Sequence, residues 1–165
     1  MQIKSKGIVN GIINDKYGKR GNMNLSIPLE FINYPKETKS FAVIIEDFDA
    51  IKVCGYDFVH WLVANITTPY LEENASLNVH NFIEGKNDFG RTNYGGMAPP
   101  DRPHYYDITV YALDCLLDLK DGFSYNELKS SIKNHILDEA NIKGLYNNWK
   151  EWYLWKLKIL KQERF

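Results

Sequence analysis

Through the first forty positions, apolar residues come in short fragments cut by glycine, asparagine and proline, which predicts connected short strands. Phe41-Ala-Val-Ile-Ile45 is unbroken and β-branched, and it predicts a strand buried on both faces. That strand runs into Glu46-Asp47-Phe48-Asp49. After a turn around Gly55, Phe58 to Ile66 predicts a second strand, and His104 to Leu113 a third. Ser124-Tyr-Asn-Glu127 has the form of a capping box. Leu128, Ile132 and Ile136 then recur every four positions, which places them on one helical face, with Gly144 as the stop. Near the end, Trp149, Tyr153, Leu157 and Leu160 share a helical face, with Trp152 at its edge. A strand is the rival there, because Trp155, Leu157 and Ile159 alternate with Lys156 and Lys158; length and lysine content favour the helix.

Between the second and third strands lies a long irregular stretch, Asn87 to Pro103, holding Gly90, Gly95, Gly96, Pro99, Pro100 and Pro103. A solvated connector is the plain reading. Loops of this length inside a compact domain are more often functional.

A chain of 165 residues is long enough for one core and too short to expect two. Residues 1–148 are expected to form that domain, and 149–165 a basic-aromatic extension. Its 44% hydrophobic and 25% charged content places it with globular proteins. A net charge of -1 argues against nucleic acid as a partner. The charge is uneven, +3 from Trp149 to Phe165 and -4 over the rest. The apolar face of the extension is expected to dock on the domain, to pair with a second copy as a homodimer, or to meet an anionic membrane. Cys54 and Cys115 form no CxxC pair, and two buried thiols in a reducing compartment are expected. No signal peptide or membrane span is read, so the expected location is cytoplasmic.

Asp47 and Asp49 sit two apart at a strand end, so an extended chain would aim both carboxylates to one side. The same alternation puts His104 and Tyr106 on one face. It puts His60 opposite Trp61, beside Leu62 and Ala64. Two carboxylates, two imidazoles and a phenol could thus converge where strand ends meet the long loop. Each has an ordinary alternative: a satisfied core histidine, a packing tyrosine, an aspartate-initiated turn. There is no GxSxG elbow, P-loop, HExxH or cysteine-histidine cluster. A metal set from Asp47, His60 and His104 is chemically possible, but its spacing signals nothing specific, and neither metal nor cofactor is expected.

Taken in order, these segments resemble the phosphatidylethanolamine-binding protein family, in its bacterial-type, Raf kinase inhibitor-like branch. Glu46-Asp47-Phe48-Asp49-Ala50 is similar to its Asp-Pro-Asp-Ala segment, and Phe58-Val-His-Trp61 with Asn65 to its histidine-tryptophan strand. Asn87-Asp-Phe-Gly-Arg91, Tyr94-Gly95, Pro99-Pro100, His104-x-Tyr106 and Tyr111-Ala-Leu-Asp114 follow in the family's order and spacing. The resemblance runs from about Ile3 to Asn147. It implies a mostly β fold, an antiparallel β-sandwich with a few peripheral helices. It also implies an anion pocket at one end, carried onto Asp47, Asp49, His60, Pro100, His104 and Tyr106, and a cis peptide bond at Pro99-Pro100.

Members are named for phospholipid head groups, and some inhibit kinases or proteases, so a small anionic ligand and a protein partner are the implied partners. The chain departs from the family at Phe48, where a proline is usual, and at Tyr105, where an arginine is usual. Binding through an imidazolium that Asp47 orients is the reading the residues support best. A hydrolase using a carboxylate-histidine base competes with it but lacks a nucleophile signature. An inhibitor acting through the pocket rim is the third class.

Overall fold

The computed structural model describes residues 1–19 and 24–148, so the expected extension helix lies outside the described residues. Ten strands and two α-helices occur among them. The strands are β1 (Gln2–Lys4), β2 (Ile8–Val9), β3 (Ile12–Ile13), β4 (Leu29–Ile32), β5 (Ser40–Asp47), β6 (Phe58–Ile66), β7 (Tyr70–Leu71), β8 (Ile83–Glu84), β9 (His104–Leu113) and β10 (Ile136–Tyr146). The helices are α1 (Ile51–Cys54) and α2 (Tyr125–Ile132).

Strands β5, β6 and β9 fall where the apolar runs predict them. They form the centre of a seven-stranded sheet ordered β2-β3-β10-β9-β5-β6-β8; a smaller sheet is ordered β1-β4-β7. Pairing between these strands is antiparallel except where β10 lies parallel to β3 at Leu145 and Ile12, and an isolated parallel bridge joins Gly18 to Met97.

Alternation along β5 explains why the fold needs two covering layers. Phe41, Val43 and Ile45 face the small sheet, where Ile3, Leu29, Phe31 and Leu71 close one core. Ala42 and Ile44 face the other way, against Leu117, Phe123, Leu128 and Ile132 around α2. All eight residues of β5 are buried. Burying each large aliphatic side chain is worth about 1.5–3 kcal/mol, so neither face could stay open to water cheaply. The mostly β sandwich is therefore backed by a helix on its far side.

Helix α2 starts as its capping box requires. The Ser124 side chain accepts from the Glu127 N–H, and the Glu127 carboxylate accepts from the Ser124 N–H. It stops earlier than the four-residue repeat implies, since Ile136 opens β10 and Gly144 lies inside that strand opposite Tyr106. Strand β10 is half solvated and polar over most of its length, which hides its alternation. A Cβ on Gly144 would sit 2.5 Å from Ile13, so the glycine serves a close approach of strands. The cysteines differ from expectation too: Cys54 is exposed on the four-residue α1, and Cys115 is partly exposed.

Candidate functional site

The site lies where the C-terminal end of β5 meets the N-terminal end of β9. These strands are antiparallel neighbours, with Glu46 opposite Asp107, so Asp47 and His104 come together at one end of the sheet. The chain does not stay extended past Asp47. It turns into a 3-10 helix, Phe48–Ala50, which Asp47 caps by accepting the Ala50 N–H at 3.1 Å. Asp49 is therefore aimed separately: one oxygen accepts from the Tyr105 N–H at 2.8 Å and the other from Arg102 at 3.2 Å. A guanidinium reaches this site from Arg102, although position 105 holds a tyrosine.

His104 is fully buried, and both ring nitrogens meet carboxylates, Nδ1 to Asp47 and Nε2 to Asp101, each at 2.7 Å. Burial alone would lower its pKa. The two carboxylates outweigh that and hold the imidazole above its usual range. Asp101 is shifted the other way, burial being outweighed by its bond to His104. Tyr106 is buried beside them; its hydroxyl accepts from the Ala98 N–H at 3.2 Å and hydrogen-bonds with Asp47. Burial, with the Asp47 charge, keeps that phenol protonated.

His60 reaches the same side by an irregularity that simple alternation misses. In the β5–β6 ladder, Ile45 pairs with Trp61 but Glu46 pairs with Val59, so His60 is the extra residue of a β-bulge. It thereby leaves the face of Leu62 and Ala64 and packs edge-on to Tyr106, with ring centroids 5.1 Å apart. Phe58 and Phe89 enclose it. Its Nδ1 lies 2.8 Å from the Gly95 carbonyl, to which it donates. Burial dominates and lowers its pKa, so His60 is neutral where His104 is charged. NMR titration of the imidazole rings should show His104 ionising above about 6.5 and His60 below it; the reverse order would contradict the geometry.

Among the expected site residues, Asp47, Asp49, His60, His104 and Tyr106 are thus brought together. Pro100 sits in the long loop between Ala98 and Asp101, both tied to the site. Its preceding peptide is trans, contrary to expectation, as is every peptide among the described residues. Trans is the intrinsically preferred form by about 0.5–1 kcal/mol, and the loop reaches Tyr106 and His104 without leaving it. Sequence reasoning missed Asp101 and Arg102. Their signal was a charged pair in the glycine- and proline-rich loop, two and three positions before His104. A groove of about 690 Å³ bordered by Lys4, Lys6, Tyr70 and Glu72 lies on the small sheet, apart from this chemistry.

Comparison with known proteins agrees with the architecture. Residues 4–147 match the family described as phosphatidylethanolamine-binding protein. The Bacillus subtilis protein YxkA is 39% identical over 145 residues, covering 79% of this chain and 86% of its own. The crystal structure of the Chlamydia trachomatis homologue CT736 superposes with a TM-score of 0.81 at 31% identity, over 89% of this chain and 97% of that one. Escherichia coli YbcL gives 0.76 at 28% identity, over 88% and 97%. This chain belongs to the phosphatidylethanolamine-binding protein family.

Proposed function

We propose that the protein binds a phosphate-type anion at His104, without turning it over. The carrying observation is a buried imidazole with a carboxylate 2.7 Å from each ring nitrogen, the outer one, at Nε2, being Asp101, whose side chain is 48% exposed. Asp47 on the inner nitrogen is 4% exposed and caps a turn, so it stays. Asp101 stands on a loop and can be exchanged. Taken as ions, the cluster has two positive groups, His104 and Arg102, and three aspartates, so net charge does not attract an anion. Replacing the Asp101 carboxylate by a ligand oxyanion keeps the charge on Nε2–H balanced, and it leaves Arg102 available to the same group.

Base catalysis by His104 has no support from this arrangement. An imidazolium donating through both nitrogens holds no lone pair for base catalysis. Phe48, next in sequence to Asp47, is 45% exposed and leaves apolar surface on the 3-10 turn beside the site. That surface suits a phosphoryl group carried on an apolar molecule as well as free phosphate. Two cysteines present as free thiols fit a reducing compartment such as the cytoplasm.

Calorimetric and NMR titration with inorganic phosphate, and with a short-chain glycerophospholipid, tests the reading. Shifts should centre on His104 and Arg102. Asp101→Asn should tighten binding about tenfold by removing the competing charge. Shifts confined to the groove on the small sheet, or an Asp101→Asn variant that binds no better, would refute it.

A further inference from the structure

Strand β9 begins at the anion site with His104 and ends nine residues later at Leu113, about 30 Å away. A different cluster stands there. Asp114 and Cys115 follow the strand directly, and the turn between α2 and β10 brings His135 against them. One ligand atom from each, a carboxylate oxygen, the thiol sulfur and an imidazole nitrogen, lies within 4.8 Å of the others.

The three come from backbone that is tied down. The Asp114 N–H donates to the His135 carbonyl at 3.1 Å, and the His135 N–H donates to Ile132 at the end of α2. The Cys115 carbonyl accepts from the Ser40 hydroxyl at 2.5 Å, and the Lys39 N–H donates to Leu113. Sheet, helix end and turn are thus locked before any ligand arrives. The side chains themselves remain open to solvent, Asp114 at 45% and His135 at 43%.

Their present bonding shows what could replace it. His135 Nδ1 lies 2.8 Å from Asp114 Oδ1, and the Cys115 thiol hydrogen-bonds with the same carboxylate. Two donor hydrogens therefore converge on one acceptor. A cation seated among the three would take the place of both.

We infer that Asp114, Cys115 and His135 form a divalent-cation site selective for borderline-soft ions such as zinc, with water completing the tetrahedron. The donor set decides the class, because a thiolate and an imidazole disfavour magnesium and calcium, which take oxygen ligands. Tetrahedral zinc holds such ligands about 3.3–3.6 Å apart, so the present separations close by small side-chain rotations. In the balanced step the Cys115 thiol proton leaves to solvent as the S–Zn bond forms. The proton that His135 Nδ1 now directs at Asp114 passes through solvent to Nε2, so the ring stays neutral while the freed Nδ1 lone pair takes the metal. Lys39 contributes an opposing positive charge, since its ammonium acts on both Asp114 and Cys115.

Cobalt(II), which reports thiolate ligation by its near-ultraviolet charge-transfer band, tests the inference in the untagged full chain under reducing conditions. Titration should produce the band together with visible tetrahedral bands, and excess zinc should abolish both. Cys115→Ser should remove the charge-transfer band, and Cys54→Ser should leave it intact. His135→Asn changes a half-exposed side chain and leaves the fold in place; it should weaken zinc affinity about tenfold or more. Zinc should also raise the melting temperature of the starting protein but not of His135→Asn. A band that is absent, that survives Cys115→Ser, or that is lost in Cys54→Ser overturns the assignment, as does a His135→Asn variant that binds zinc unchanged.

Discussion

Asp47→Asn is expected to lower folding stability by about 2 kcal/mol at pH 6, less than the usual cost of stranding a buried charge because Asp101 still pairs with His104. Asparagine keeps an oxygen for the Ala50 N–H, so the turn cap survives and only the charge is lost. The effect should depend on pH in a defined direction. The folded-state pKa of His104 is raised, so its pairing contributes fully below the unfolded value of about 6.5 and is lost as pH rises through the folded pKa. The gap between parent and variant is therefore widest on the acid side of neutrality and narrows on the alkaline side. Urea unfolding at a series of pH values measures it. A gap independent of pH would mean that His104 is not charged in the folded protein. Combining Asp47→Asn with His104→Gln should recover part of the loss, with a coupling of about 1–3 kcal/mol.

Trp61→Ala is expected to cost about 3–5 kcal/mol, the range for truncating a buried aromatic. The side chain has no exposed surface and packs edge-on to Tyr94 at 5.4 Å and Phe82 at 6.5 Å. Its indole N–H also donates to Glu84 at 2.5 Å, on a carboxylate that takes a second bond from Ser76 and faces His80. Truncation therefore opens a cavity and withdraws a hydrogen bond from a buried acid. Trp61→Phe separates the two effects, since it keeps most of the volume and loses only the donor. Thermal unfolding should rank Trp61→Phe between the parent and Trp61→Ala; equal losses would assign the whole effect to the hydrogen bond.

The central strands were legible because they are the most buried part of the fold. Phe41–Ile45 and the runs beginning at Phe58 and His104 carry their burial in their composition. The capping box at Ser124 was equally readable, being a contact between near neighbours in sequence. Strand β10 was not, since it is solvated along one side and its apolar positions mimic a continuation of α2. The site was half readable. Strand order and alternation place Asp47, His104 and Tyr106, but no local pattern shows that a carboxylate three positions before His104 folds back onto it. The bulge at His60 depends on pairing with β5 and has no signature within β6 itself.

That bulge has a counterpart further along the strand. Val43 pairs with Val63 and Phe41 with Ile66, which makes Asn65, at φ 60°, a second supernumerary residue. Each one fastens a loop. His60 exchanges two bonds with Gly95, through its ring and its backbone carbonyl, and the Asn65 amide both donates to and accepts from the backbone of Leu117. Trp61 to Ala64 keep their faces whether or not the ladder contains these two residues. The strand thus separates two jobs that usually compete for the same positions: its regular residues build the cores, and its inserted ones moor the loops. Deleting residue 60 or 65 would preserve the inside-outside alternation of every neighbour, whereas deleting any residue between them would invert it.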